Sequence, residues 1–196
     1  MPCNTSDWKA DVDAMAAAVN ENTALIVGSA CSYPHGVVDP IRALGKVAMA
    51  NGCLLHVDGC IGGFVLPYFN RIRAGDDARE FDDPVGQAEF DFRVPGVTSI
   101  SVDLHKYAFC PKGASVIVYR DKALRNYQLY AYAAWAGYTI VNNTFQSSKT
   151  AGPVAAAWAV MNYIGDEGYY RQMLKTYVCP VHQKQDTGRI IMTGLH

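Results

Sequence analysis

Apolar residues come in short runs separated by polar, helix-forming stretches, and that alternation is the first clue to architecture. Residues 11–21 are strong helix formers that place Val12, Met15, Ala16 and Val19 on one face. Thr23 to Gly28 is a continuous apolar run closed by glycine, as expected of a buried parallel strand. Asp39-Pro40 predicts a helix start, with Asp39 as N-cap and Pro40 in the first turn, and Asn51-Gly52 ends that helix after Ala50. Cys53 to Val57 predicts a second buried strand with Asp58 at its C-terminal end. After a polar stretch from Arg73 to Gln87, expected to be irregular, Val97 to Val102 predicts a third strand. Gly113 to Tyr119 predicts a fourth, returning beside it like a hairpin. The Ala-rich segment Pro153 to Ile164 reads as a packed helix. Helices alternating with short apolar strands predict an α/β fold with a largely parallel sheet flanked by helices.

Composition narrows the class without naming a function. The chain has 196 residues, enough for one α/β domain; half are hydrophobic and 18% are charged. Such a chain packs a core rather than remaining disordered. A formal net charge of −1 gives no broad field for nucleic acid. The six cysteines lack C-x-x-C spacing, which suggests neither a zinc site nor a disulfide framework. Cys31, Cys53 and Cys60 fall in or beside apolar runs, where reduced thiols are expected. No signal peptide is visible and no apolar run approaches the roughly 20 residues that span a bilayer. The expectation is a soluble, cytosol-facing segment, although a longer parent could carry a membrane anchor, for example in the endoplasmic reticulum.

Parallel sheets gather ligands beyond the carboxyl ends of their strands, and Ser29, Asp58 and Asp103 to Lys106 all fall there. Lys106 follows an apolar strand, where desolvation can make an amine nucleophilic toward aldehydes, but position alone fits a surface lysine as well. Asp58, followed by Gly59, Cys60, Gly62 and Gly63, could hold the protonated nitrogen of a flat heteroaromatic ligand, or could simply cap the next segment. His56 is either an active-site wall or a satisfied core histidine. Ser32-Tyr-Pro-His35 has no nucleophile elbow and no acid partner, and neither nucleotide-binding glycine loop occurs. Tyr127, Tyr130, Tyr132 and Tyr138 cluster in sequence; core packing is the default reading, a pocket or subunit contact the alternative.

Taken together, His56-Val-Asp58-Gly-Cys60-Ile-Gly-Gly63 and Ser99-Ile-Ser-Val-Asp-Leu-His105-Lys106-Tyr107 are far more specific than their parts. They resemble the group II pyridoxal-phosphate (PLP)-dependent decarboxylase family. Gly28 to Pro40, Phe90 to Ser101, Pro111 to Ser115 and Tyr119 to Gln128 match as well, and His-Lys-Tyr and Asp-Phe-Arg-Val favour the branch that cleaves phosphorylated sphingoid bases. The similarity covers roughly residues 10 to 175.

The resemblance implies a fold-type I, transferase-like large domain acting as a homodimer on a small-molecule substrate. Lys106 would hold the cofactor as an imine and Asp58 would pair with its pyridinium nitrogen. Cys60 would pack on one ring face and His105 would sit beside the phosphate. Ser29 would lie near the ring's polar edge, with His56 also at the cofactor. Lys149, in Thr144-Phe-Gln-Ser-Ser-Lys149, stands where the family has an arginine near the substrate's anionic group. The implied reaction is retro-aldol cleavage to a long-chain aldehyde and phosphoethanolamine; the alternatives are amino-acid decarboxylation or a catalytically inactive remnant. The resemblance also implies a phosphate-binding turn before these motifs and a small domain after them, neither of which is recognisable in this sequence. Residues 1–178 therefore read as an incomplete large domain, and 179–196 as a divergent tail.

Overall fold

The computed structural model describes residues 3–75, 88–144 and 148–187, with side chains described up to residue 177. The first helix, α1 (Val12–Ala18), starts at Asp11, whose carboxylate accepts the Ala14 N–H at 2.9 Å. Strand β1 (Leu25–Ser29), helix α2 (Ile41–Ala50) and strand β2 (Leu54–Asp58) follow, and then helix α3 (Gly62–Ala74). Strands β3 (Val97–Asp103) and β4 (Ser115–Tyr119) complete a four-stranded sheet of order β1-β2-β3-β4. The first three strands are parallel, while β4 returns antiparallel to β3, as the hairpin-like spacing predicted.

Helix α2 lays Ile41, Leu44, Gly45 and Ala48 onto one sheet face, where Ile26, Leu55, Val57 and Val97 are buried. That spacing is one turn-by-turn stripe, and each fully buried branched side chain contributes roughly 1.5–3 kcal/mol. Val12, Met15 and Val19 of the predicted first-helix face pack against the same core.

Asp39 is not the cap of α2. The N-cap is Pro40, without a side-chain bond, and the Asp39 carboxylate turns inward. There it accepts the Ala10 N–H at 2.8 Å and the Ser29 N–H at 2.7 Å, at 5% exposure. It therefore ties the N-terminal segment to the end of β1, next to the site described below. Asp39→Ala strands two buried donors, and the expected cost is about 2–4 kcal/mol, read as a lower urea midpoint with an unchanged slope.

Helix α3 has no counterpart among the elements predicted from sequence, and it takes in Arg73 and Ala74 of the stretch expected to be irregular. Residues 76–87 of that stretch lie outside the described residues, as do residues 188–196 of the tail. Val65 and Ile72 of α3 pack with Met173 in a second core. Met173 belongs to α5 (Gly152–Thr187), which breaks at Gly165, φ +63°; its first stretch is the predicted helix. Between the sheet and α5 lie α4 (Lys122–Asn126) and a small hairpin, β5 (Tyr130–Tyr132) and β6 (Ile140–Asn142). The tyrosines expected to pack in a core do not: Tyr127, Tyr130, Tyr132 and Tyr138 are all exposed. The five described cysteines are unpaired, with Cys31, Cys53 and Cys110 buried. Among the described residues, no helix is long and apolar enough to cross a membrane.

Candidate active site

Parallel register sets the site. Ser29 of β1 lies opposite Asp58 of β2, which lies opposite Ser101 of β3, so three polar residues form one row at the carboxyl edge. The Asp58 carboxylate is fixed on its Oδ1, which accepts the Cys60 N–H at 3.0 Å and the Ser101 hydroxyl at 3.2 Å. Behind it, His56 lies between two serines of β3. Its Nδ1 is 2.8 Å from Ser99 Oγ and its Nε2 3.3 Å from Ser101 Oγ. Burial pushes the His56 imidazole below the usual histidine value, with the Asp58 carboxylate opposing, so it is neutral at pH 7.

The turn from Asp58 into α3 is close-packed. A Cβ on Gly62 would sit 2.3 Å from the Ala30 carbonyl oxygen, and one on Gly63 would sit 2.7 Å from the Val102 side chain. Only glycine lets this turn approach both neighbouring strand ends, which brings Cys60 beside Cys31, Asp58 and Lys106. Burial raises both thiols, leaving them protonated at neutral pH.

Lys106 sits on the turn after β3, and its ammonium pairs with Asp103 Oδ2 at 3.0 Å. Asp103 also accepts from the Ser115 hydroxyl on β4. Burial alone would lower the Lys106 amine, but hydrogen bonds with Cys60 and Asp103 outweigh it and hold the amine above the ordinary lysine value. The activation by desolvation expected from the sequence is thus reversed in the free chain. The Lys106 contribution to stability is fully present below the ordinary lysine value and is lost as pH rises through the raised one. Because the neutral amine is the nucleophile, capture of an aldehyde should accelerate with pH to beyond 10.5, the ordinary lysine value. In Asp103→Asn that rise should move to lower pH; stopped-flow absorbance with PLP reads it.

His105 commits its Nδ1–H to the Ala114 carbonyl at 2.8 Å and turns Nε2 toward Asp103 at 3.7 Å. The Lys106 turn is pinned from outside by Tyr169 of α5, whose hydroxyl donates to the Ala108 carbonyl at 2.8 Å. Burial pushes that hydroxyl up to about 12, so it stays a donor. Lys149 is exposed, three residues before α5, and no described contact joins it to Asp58 or Lys106. The structure thus brings Ser29, His56, Asp58, Cys60, His105 and Lys106 to one sheet edge and leaves Lys149 outside it. Sequence reasoning gave no role to Asp103, Ser99 and Ser101. The signal was present as polar residues at every second position of β3.

The chain is similar in sequence and in fold to known proteins. The aminotransferase class-V family model matches residues 2–63. The sphingosine-1-phosphate lyase of Arabidopsis thaliana is 44% identical over 169 residues, covering 86% of this chain and 29% of that protein. Sphingosine-1-phosphate lyase 1 of Rattus norvegicus is 40% identical, covering 87% of this chain and again 29% of the relative. The solved structure of the Burkholderia pseudomallei sphingosine-1-phosphate lyase superposes with a TM-score of 0.84 at 36% identity, covering 94% of this chain and 40% of that one. Glutamate decarboxylase of Lactobacillus brevis shares the fold, with a TM-score of 0.72 at 21% identity, covering 95% of this chain and 40% of that one. The chain is therefore part of a fold-type I PLP-dependent large domain, with an α/β sheet mostly parallel and flanked by helices. Within that class it is homologous to the sphingosine-1-phosphate lyases, 40–44% identical over 86–87% of its length. It spans about 29% of the length of these curated relatives.

Proposed function

We propose that this chain supplies the PLP-binding lysine and the ring-facing carboxylate of a carbon–carbon lyase acting on phosphorylated sphingoid bases. The observation that carries the reading is the convergence of a pre-oriented Asp58 carboxylate and the Lys106 amine, with the neutral Cys60 thiol contacting both, at one parallel-sheet edge. The donor set fits PLP at two ends: a carboxylate for the pyridinium nitrogen and an amine for the aldehyde carbon. When bound, PLP supplies an electron sink for the pair left when a substrate bond breaks.

The residues of the chain divide the remaining work. Lys106 Nζ would hold the cofactor at its aldehyde carbon and, when not bonded to it, would be the amine available to move a proton. Asp58 keeps the ring nitrogen protonated. Cys60, uncharged, covers one ring face, and Ser29 offers a hydroxyl at the polar edge. His105, with its Nδ1–H donated to the Ala114 carbonyl, would meet the phosphate through Nε2. Lys149, exposed and outside that sheet edge, would meet the substrate's anionic group only as a point charge, without an arginine's bidentate fork. Loss of the proton from the substrate's 3-hydroxyl would break the C2–C3 bond and give a long-chain aldehyde, and return of a proton to C2, for which the Lys106 amine is the candidate, would give phosphoethanolamine. We further propose that the chain pairs as a homodimer, which the exposed Tyr127, Trp158 and Tyr163 support. Residues 1–178 are proposed as the large-domain part and 179–196 as a divergent tail, with α5 continuing across that boundary to Thr187.

The discriminating assay offers the PLP-loaded protein a sphingoid-base phosphate and, separately, amino acids. Release of long-chain aldehyde is expected. Carbon dioxide from amino acids without aldehyde would assign decarboxylation instead, and PLP capture with neither product would assign a catalytically inactive remnant.

A further inference from the structure

The Asp58 carboxylate is not held by its own turn alone. A carboxylate only accepts, so the Ser101 hydroxyl spends its one proton on Asp58 Oδ1 at 3.2 Å. Ser101 Oγ then meets His56 as an acceptor, which requires the proton on His56 Nε2, 3.3 Å away. With the half-buried ring neutral, Nδ1 is bare and accepts the Ser99 hydroxyl at 2.8 Å. Every donor therefore points the same way, Ser99 to His56 to Ser101 to Asp58, and Ser99 is itself only 8% exposed. The arrangement follows from register: His56 pairs with Ser99 and Asp58 with Ser101, so the side chains stand in one block across two strands.

We propose that His56 and Ser101 are positioning residues for Asp58, forming with Ser99 a one-way hydrogen-bond chain that fixes the carboxylate and sustains its negative charge toward the cofactor's ring nitrogen. The proposal rests on the PLP reading. It recasts His56 from a cofactor contact into a residue that acts through Ser101. Aligned donors in a partly buried site strengthen one another and favour the charged acceptor at the end of the row.

The test uses the chain labelled with 15N-histidine, first without cofactor. The His56 signal is identified by its loss in His56→Gln. At pH 7.5 it is expected as the Nε2–H tautomer; Ser101→Ala should turn it into a mixture, and Ser101→Thr, which keeps the hydroxyl, should restore it. Finding His56 as Nδ1–H or as imidazolium, or a tautomer that ignores Ser101→Ala, overturns the chain. With PLP carrying a 15N ring nitrogen, the ring signal should move toward its unprotonated position in Ser101→Ala and His56→Gln and return in Ser101→Thr. A ring signal that stays in place overturns the link to Asp58. If PLP is not captured at all, the functional reading fails, while the tautomer experiment still decides the hydrogen-bond chain.

Discussion

Lys106→Ala is expected to abolish borohydride-fixable capture of PLP and the absorbance band that accompanies it. Turnover should fall by about ten-thousand-fold or more, the scale on which loss of a nucleophile that also carries protons acts. The fold should survive. The Lys106 side chain is 29% exposed and its described partners are Asp103 and the Cys60 thiol, so truncation costs roughly 1 kcal/mol or less. Its turn is held independently by backbone bonds from Phe109 to the Lys106 carbonyl at 3.1 Å and from Cys110 to the Leu104 carbonyl at 3.1 Å, and by Tyr169. A variant that is folded by circular dichroism yet blind to PLP separates chemistry from stability. Persistence of the fixed adduct would move the covalent role to another lysine.

Asp58→Asn carries the second large effect. Asparagine keeps an oxygen where Oδ1 now accepts the Cys60 N–H and the Ser101 hydroxyl, so the turn and the unfolding midpoint should hold to within about 1 kcal/mol. What is lost is charge opposite the pyridinium nitrogen. Removing one partner of a buried charged pair costs about 3–5 kcal/mol, or roughly 10²- to 10⁴-fold in rate. Covalent capture through Lys106 should persist while product formation drops by that factor. The two variants therefore fail differently, one in attachment and one in electron uptake, and single-turnover kinetics distinguishes them.

Much of the site was legible because strands announce themselves locally. Cys53 to Val57 is a mostly apolar run closed by Asp58, and Val97 to Val102 alternates apolar with polar residues before the turn that carries Lys106. What stayed hidden depended on contacts distant in sequence. Asp39 looked like a helix cap beside Pro40, but its partners are Ala10 and Ser29, set by the packing of three segments. Asp103 gains its meaning only when the antiparallel return brings Ser115 across from it. Helix α3 was obscured by Gly62, Gly63 and Pro67, which read as turn formers; its true signal was the recurrence of Val65, Phe69 and Ile72 along one face. The hydrogen-bond row from Ser99 to Asp58 required register, and no periodicity within a single strand reports it. The exposed tyrosines of α4 to β6 show the reverse error, since aromatic content alone does not place a residue in a core.

The central claim is that Lys106 is the amine that takes PLP. Its most direct test is to load the protein with PLP, reduce with borohydride, digest, and locate the pyridoxyl group by tandem mass spectrometry. The account predicts a single modified site at Lys106, in the peptide that also carries His105 and Tyr107. Modification at Lys149, at Lys112 or at any other lysine with Lys106 untouched, or no fixed cofactor at all, would contradict it.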